Sequence, residues 1–201
     1  MKKTRRVRIG DIAEVFDGPH ATPKVVDVGP VFLGIRNITP DGLLDFSVAD
    51  CVSEDDFARW TRRVTPIEDD IVFSYEATLH RYAMIPRGFR GCLGRRIALV
   101  RVDKSKASPR FVYYTFRTAK WRSYIENNLL YGATVNRVPI AKFPDFEIDL
   151  PPLEVQFQIM SELAKIDEQI ELHRRSVELL KESRDLIFPL MISSMPDMSK
   201  I

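Results

Sequence analysis

A dense run of cations in the middle of the chain is its clearest chemical feature. Residues 79–122 contain twelve lysines and arginines but a single acid, Asp103. A surface of this charge neutralises phosphate groups and releases their counterions, which gives affinity for nucleic acid that does not depend on base sequence. A solvated basic face without a ligand is the alternative, and the aromatic and apolar residues of the run are expected to lie in the core.

The overall charge of +2 conceals a strong asymmetry along the chain. Residues 41–70 hold nine acids against Arg59, Arg62 and Arg63, and the last 51 residues have a net charge of −3, which leaves +5 for residues 1–150. Charge sign that changes between segments indicates surfaces with different roles. The positive charge therefore belongs to the first 150 residues.

Patterns typical of catalysis and of metal binding are incomplete. Asp145 and Glu147 are close in sequence, but no lysine follows Glu147 at the spacing of a nuclease. His20, His80 and His173 are scattered and form neither of the helical zinc-ligand patterns HxxxH and HExxH. No glycine-rich phosphate loop occurs. We predict no catalytic residue, no metal site and no cofactor, and a small enzyme that uses the carboxylates near Asp145 is the least favoured function.

The last quarter of the chain has a heptad pattern. From Ile159 the spacing alternates between four and three residues, and seven of the nine positions are apolar. A 3.5-residue period held over four heptads predicts a coiled-coil helix that packs against another helix. The seam consists of Ile159, Leu163, Ile166, Ile170, His173, Val177, Leu180, Arg184 and Ile187. The two polar seam residues either fix register and orientation or lie at the edge of the seam.

The boundaries of this helix are marked by prolines and by charge. Pro151 and Pro152 cannot lie inside a helix, and Glu154 places a carboxylate near the positive end of the helix dipole. The predicted stop is Pro189. The sequence therefore predicts a globular domain over 1–150, a helical segment over 151–188 and a tail over 189–201. The helix itself, from 153 to 188, is expected to be on the order of 54 Å in length.

The first 150 residues contain signals of both strands and helices. Residues 9–16 are predicted as a short helix or strand entry, and 31–35, 70–75, 81–85, 91–93 and 97–102 as strands. Ser53 is a predicted helix N-cap, and 109–127 is predicted as one amphipathic helix. The fold class is α/β, in the mixed α+β sense: a globular domain followed by one long coiled-coil helix.

The termini and the cysteines bear on the compartment. The basic segment 1–8 is not followed by an apolar run, so it is not a secretory signal, and no stretch is long enough to span a bilayer. Cys51 and Cys92 lack the spacing of a metal site, which favours a reducing compartment. We expect a cytoplasmic protein that does not bind membranes.

The order of several short segments resembles the DNA-specificity subunits of type I restriction-modification systems, a host-defence family. The segments are 9–13 (IGDIA), 33–39 (LGIRNIT), 69–74 (DDIVFS), 111–116 (FVYYTF), 132–136 (GATVN) and 150–159 (LPPLEVQFQI). The resemblance covers nearly the whole chain. The Gly-Thr-x-Gly segment that is frequent after the third of these is replaced here by 75–81 (YEATLHR).

The resemblance implies a DNA target-recognition domain without catalytic function. Members of this family direct methyltransferase and restriction subunits to a bipartite site in double-stranded DNA, and they usually carry two domain-plus-helix units. This chain resembles one unit. It is therefore expected to be a half-length subunit that forms a homodimer through the helix, or a part of a longer subunit; its start at Met1 and its end just past the helix favour the first.

Side chains that hydrogen-bond base edges include Arg, Asn, Gln, Ser and Thr, so the loops that carry such residues supply the candidates for DNA contact. They are His20, Thr22, Lys24, Arg36, Asn37, Tyr75, Thr78, His80, Arg81, Arg95, Arg96, Thr134, Asn136 and Arg137. Asn37, Thr134 and Asn136 have a structural alternative, since such side chains also cap turns and tie loops. The alternative function is a coiled-coil protein-interaction adaptor whose basic face is incidental.

Overall fold

A computed structural model describes residues 3–132 and 135–193. The chain divides into two compact units, 1–157 and 158–201. The first unit is a mixed α+β domain with two larger sheets and one two-stranded sheet, and the second is formed by the long C-terminal helix. The predicted fold class is confirmed.

The central sheet of the first unit has the strand order β2-β8-β5-β6. The strands are β2 (Ala13–Asp17), β5 (Ile71–Ser74), β6 (Tyr82–Met84) and β8 (Ile97–Val102). Every neighbouring pair is antiparallel, with Val100 opposite Val15 on one side and opposite Ile71 on the other. β5 is buried throughout and β8 at every residue except Arg101, so side chains cover both faces of the sheet.

A second sheet packs against one side of the central sheet. Its strand order is β4-β3-β7. Its strands are β3 (Val26–Leu33), β4 (Asp50–Cys51) and β7 (Gly91–Leu93). β3 and β7 run parallel, with Leu33 opposite Leu93. A separate pair joins the two ends of the domain, because β1 (Arg5–Arg8) is antiparallel to β9 (Glu147–Leu150).

The described residues of the first unit also form four short α-helices, α1 (Ile9–Ile12), α2 (Glu54–Trp60), α3 (Pro109–Phe116) and α4 (Ala119–Glu126), and two 3-10 helices, Ile35–Asn37 and Ile140–Asp145. Ser53 caps α2 as predicted, its hydroxyl accepting from Asp56 N. The prediction of one helix over 109–127 is wrong. Thr118 adopts an extended conformation and its hydroxyl caps a new helix by accepting from Trp121 N, and Ser, Thr and Asp side chains readily compete in this way for backbone amides.

The aromatic residues of the basic run lie in the core, as predicted. Phe73, Phe116, Trp121 and Phe143 form a cluster in which ring centroids are 4.6 to 5.9 Å apart. The Trp121 indole N–H donates to the buried Tyr82 hydroxyl at 3.0 Å. Burial of such large rings is the main source of stability in a domain of this size.

The long helix α5 (Leu153–Ser193) begins where the sequence predicts but continues through Pro189. The predicted stop is therefore wrong. A proline removes one amide from the hydrogen-bond ladder, and the residues on both sides of Pro189 retain the helical conformation despite this loss. With 41 residues the helix is roughly 60 Å long. Within the described residues, no helix is long and apolar enough to cross a membrane.

The first turn of α5 is held to the domain by Gln156, whose side chain is fully buried. Its amide oxygen accepts from Ser108 N at 2.8 Å, and its amide nitrogen donates to Pro151 O at 2.7 Å. Both backbone groups would otherwise be left without a partner at the ends of α3 and α5. The LPPLEVQ segment thus ends β9 and fixes the position at which α5 begins.

An ion pair inside the domain provides a test of the fold. Asp70 is buried and accepts from Arg101 at 2.9 and 2.7 Å and from Ile67 N at 2.8 Å. We expect Arg101→Met to lower the free energy of unfolding by about 3 kcal/mol, because it leaves a buried carboxylate without its cation. Denaturant titration measures the change. Lys104→Met, which removes the exposed partner of Asp69, is the matched control, and an equal loss in both variants would contradict the argument.

Candidate nucleic-acid interface

Loops from distant parts of the sequence meet at one end of the central sheet. Because its neighbouring strands are antiparallel, β2 and β5 end at the same end of the sheet at which β6 and β8 begin. The segments 17–24, 75–81 and 94–96 therefore lie side by side. The parallel pair β3 and β7 adds 34–36 to this end, where Gly94 N donates to Leu33 O at 2.8 Å.

Backbone hydrogen bonds join these segments to one another and to the segment 130–137. Gly18 N donates to Ile97 O at 3.0 Å, and Tyr75 N donates to Arg96 O at 3.1 Å. Val138 N donates to Tyr75 O at 2.8 Å, which brings 130–137 beside the same loop. We call the resulting surface, formed by 17–24, 34–36, 75–78, 94–96 and the described residues of 130–137, the loop face.

The loop face carries several of the predicted contact residues in exposed positions. His20 is exposed, and its ring Nε2 lies 2.9 Å from the Asp17 carboxylate. The other exposed members are Thr22, Lys24, Arg36, Thr78, Arg95, Asn136 and Arg137. Cations and hydroxyl or amide groups in one surface are the combination that contacts phosphates and base edges. The structure therefore brings these predicted residues together.

Two cations of the loop face are held by carboxylates. Arg36 pairs with Asp50 at 2.6 Å, and the half-buried Arg96 pairs with Glu76 at 2.9 Å. Arg96 has a φ of +69°, which is unusual for a residue with a Cβ. Its Nε lacks a well-aligned hydrogen bond, so the contact with Glu76 is chiefly one of charge. The side chain of Arg96 thus lies on the loop face but is already paired with Glu76.

Tyr75 supports the loop face from below and does not form part of its surface. Only 4% of the residue is exposed. Burial raises the pKa of its phenol, the nearby Asp17 carboxylate raises it further, and Arg95 acts in the opposite direction. The ring therefore stays neutral between the 17–24 and 94–96 segments. The prediction of a direct contact by Tyr75 is not supported by this position.

Asn37 is also interior, which is a second correction. Its residue is fully buried, its amide oxygen accepts from Gly34 N at 2.8 Å and its amide nitrogen donates to Asp45 O at 3.0 Å. All of this ties the turn after β3 to the segment that follows. The structural alternative, turn capping, is the one that the geometry supports.

His80 faces α4 and turns away from the loop face. Its φ is +62°, its Nε2 lies 3.3 Å from Glu126, and its buried Nδ1 has no hydrogen-bond partner. Desolvation lowers the pKa of this imidazole, the positive charge of Arg122 lowers it further, and Glu126 offsets these effects in part. Arg81 next to it is half-buried. Thr134 lies outside the described residues.

Sequence analysis missed a cleft beside the loop face. Arg59, Arg62 and Arg63, at and after the end of α2, line a cleft of about 400 Å³ together with His20 and Asp17. The three arginines stand out as the only cations of an acidic stretch, and this contrast was the available signal. Only the fold brings them next to His20, which is about 40 residues away in the chain.

The seam of α5 is exposed in the described chain. Its apolar members Ile159, Ile166, Ile170, Val177, Leu180 and Ile187 are all exposed, from 40% to 69%, and Leu163 is half-buried. His173 and Arg184 are exposed too, and Arg184 bonds the neighbouring Asp185 at 2.7 Å. A second exposed row with a spacing of seven contains Leu172, Leu179 and Leu186. Exposed apolar rows of this length are typical of surfaces that bind a partner.

The fold, a mixed α+β domain followed by one long helix, is similar to that of solved specificity subunits. The S subunit of the M. genitalium type I restriction-modification system superposes with a TM-score of 0.61 at 18% identity, over 92% of this chain and 44% of that one. The HsdS subunit of Thermoanaerobacter tengcongensis gives 0.57 at 19% identity, over 86% of this chain and 39% of that one. At these identities the likeness defines the fold.

The sequence identifies the family. Residues 1–182 match the profile of the type I restriction modification DNA specificity domain, and the chain belongs to that family. A protein of Methanocaldococcus jannaschii described as the type I restriction enzyme MjaX specificity subunit is 30% identical over 129 residues, which are 63% of this chain and 28% of that protein. The chain spans less than half the length of each of these relatives. The predicted family is confirmed.

The position of His80 predicts a pH dependence of stability. Because its pKa is lowered in the folded state, the unfolded chain takes up a proton near the ordinary histidine pKa of about 6.5 while folded His80 does not. Stability should therefore fall as the pH decreases below about 6.5 towards the folded pKa. Denaturant titrations from about pH 7 to about pH 5.5 measure this slope.

His80→Gln is the control, because it keeps a side chain of similar reach without a group that titrates in this range. We expect a shallower pH dependence in this variant than in the wild type. Titration of the His80 ring followed by NMR tests the cause directly. A ring that titrates at or above the ordinary value would contradict the argument.

Proposed function

We propose that this chain is the DNA-recognition component of a type I restriction-modification system. In this proposal the loop face reads a short half-site in double-stranded DNA, and separate methyltransferase and restriction subunits perform the chemistry. The observation that carries the proposal is the convergence of exposed Arg, Lys, His, Thr and Asn side chains from five segments at one end of the sheet. The family supports it, since its description is that of a DNA specificity domain and not of a catalytic subunit.

Direct base reading is assigned to the exposed loop-face residues. Arginine recognises guanine through two parallel hydrogen bonds, and asparagine recognises adenine in the same way. Arg95, Arg137 and Asn136 are exposed and fulfil the chemical requirement. Tyr75 and Asn37 keep these segments in place from the interior. Mutation of the exposed group should change the sequence that is bound, whereas mutation of the interior group should act on stability.

The helix is the proposed assembly surface. In this proposal two copies of the recognition domain bind a bipartite site, and pairing of two α5 helices in antiparallel orientation brings them together. The exposed seam supports such pairing, because a strict 3.5-residue apolar repeat is buried only by another helix. The second row of leucines offers a further surface to a methyltransferase subunit. This arrangement remains consistent with a second unit in a longer chain.

Sequence-specific binding is tested by selection from duplexes with randomised sequence. If two copies are related by a twofold axis, the selected site should consist of two identical half-sites in inverted orientation, separated by a spacer of fixed length. Arg137→Gln should change the selected base at one position of each half-site, with a loss of roughly 1–3 kcal/mol for the original base. Arg87→Gln, in the exposed turn after β6 at the far end of that strand, is the control.

Binding to all duplexes with equal affinity would contradict the proposal. An adaptor with an incidental basic face would give that result, since charge attraction alone carries no sequence preference. A single half-site without its inverted copy would retain DNA recognition but contradict pairing of two copies. The salt concentration must be equal in all measurements, because affinities for DNA are comparable only at fixed salt.

Pairing through the helix is tested by sedimentation of the full chain. We expect the wild type to dimerise in a concentration-dependent manner and Leu180→Glu to weaken the dimer at least tenfold, because it introduces a charge at an apolar position of the seam. Arg175→Gln is the matched control: it also changes the net charge by one negative unit but lies outside the seam. Equal effects of the two variants, or a wild type that stays monomeric, would contradict the pairing.

A further inference from the structure

The arginine cleft beside the loop face has charge without internal compensation. Arg59, Arg62 and Arg63 are exposed, and among the described residues none of them has a carboxylate within ion-pair distance. Arg59 lies over the ring of Trp60 at 5.9 Å. The acid that lines the cleft, Asp17, bonds His20. By contrast, six other arginines of the domain each pair with a carboxylate: Arg6, Arg8, Arg36, Arg90, Arg96 and Arg101.

The geometry of Arg63 connects the cleft with the loop face. Its Nη1 lies 3.4 Å from Asp17 O and 3.5 Å from Gly18 O, distances at which a hydrogen bond is weak. The guanidinium therefore keeps most of its donors available. His20 belongs to both surfaces, since it lines the cleft and stands on the 17–24 segment. A polyanion that lies on the loop face can continue into the cleft without interruption.

The chemistry of the lining separates two ways of contacting DNA. The described lining residues include three arginines and a histidine, but no Asn, Gln, Ser or Thr. Several like charges in one cleft repel one another, and an anion with several negative groups in a row relieves this repulsion. Duplex DNA supplies such an anion in its phosphodiester backbone. Phosphate contacts of this kind set the register of a protein on DNA but carry no sequence information.

We propose that Arg59, Arg62 and Arg63 form a phosphate clamp, which binds the DNA backbone next to the bases read by the loop face. The clamp rests on the proposed function and gives it a part that sequence analysis did not predict: α2 positions the duplex, and the loop face specifies the sequence. The site is distinct from the loop-face contacts because the clamp contributes equally to binding of every duplex.

The clamp is tested with the full chain by measuring affinity for one duplex over a range of salt concentrations. The slope of log affinity against log salt is negative, and for the triple variant R59Q/R62Q/R63Q we expect it to become shallower by about 2 to 3. We also expect the affinity near 0.1 M salt to fall roughly tenfold for each phosphate that the variant no longer neutralises. R59K/R62K/R63K keeps the charges and should retain most of the slope. Arg87→Gln should leave both quantities nearly unchanged.

The comparison of several unrelated duplexes distinguishes the possible outcomes. Equal losses of affinity for all duplexes support the clamp, whereas losses that depend on base sequence would overturn it in favour of base reading. A triple variant with wild-type slope overturns the clamp alone, even where the wild type selects a bipartite site. A wild type without sequence preference whose slope still becomes shallower in the triple variant refutes the proposed function and leaves the clamp in place.

Two controls test whether the triple variant is folded and whether the cleft binds a small anion instead of DNA. Thermal unfolding of the triple glutamine variant should match the wild type, since the three side chains are exposed, and the triple lysine variant provides a second folded comparison. Inorganic phosphate is titrated in parallel: saturable binding of phosphate that is abolished in the triple variant, together with an unchanged affinity for DNA, would identify a site for a small free anion and would overturn the clamp.

Discussion

The antiparallel pairing of β8 with both β2 and β5 is the constraint on which the rest of the structure depends. Side chains at successive positions of a strand point to opposite faces, so a shift of one residue would exchange the two faces of β8. Val100 and Leu99 are both fully buried, in different core clusters. A shifted register would therefore disrupt both clusters at once. The same register determines that Gly94–Arg96, 17–24 and 75–78 meet at one end of the sheet, and the loop face is thus a consequence of core packing.

Local signals in the sequence predicted most elements of the domain. A proline pair and a following acid mark the start of α5, and the hydroxyl of Ser53 marks that of α2, because both signals act within one helical turn. Non-local features were not accessible in this way. The parallel pairing of β3 with β7 and the closure of β1 on β9 join residues 60 to 145 positions apart. The predicted helix stop at Pro189 and the predicted single helix through Thr118 are wrong for a related reason. Whether a proline or a capping hydroxyl ends a helix depends on the surrounding helix and its packing.

The candidate site shows the same division between chemical type and position. Residue type selected candidates in segments 17–24, 75–81 and 130–137, which the fold places side by side, yet it could not tell which side chain of a loop points outwards. Asn37, Tyr75 and His80 each have suitable chemistry and are buried or turned towards another element. Burial depends on contacts with distant residues, such as Asp45 for Asn37 and α4 for His80. The opposite applies to Arg59, Arg62 and Arg63, which were not selected as candidates. Their neighbours in sequence are mostly acidic, although the fold places the three arginines together in a basic cleft.

Acids within the basic surface give its cations different roles. Arg36 and Arg96 each hold a carboxylate, so a contact with DNA through the same nitrogen atom would have to replace that carboxylate. The exchange costs part of the gained free energy, and it is favourable only where the new partner offers two well-placed acceptors, as guanine does. Cations without an acid bind any phosphate at no such cost. Under the proposed function, the paired Arg36 and Arg96 therefore add less to the affinity for random DNA than Arg95 and Arg137 do. Their pairing still adds to discrimination, because specificity is a difference between affinities and a wrong base does not compensate for the lost carboxylate.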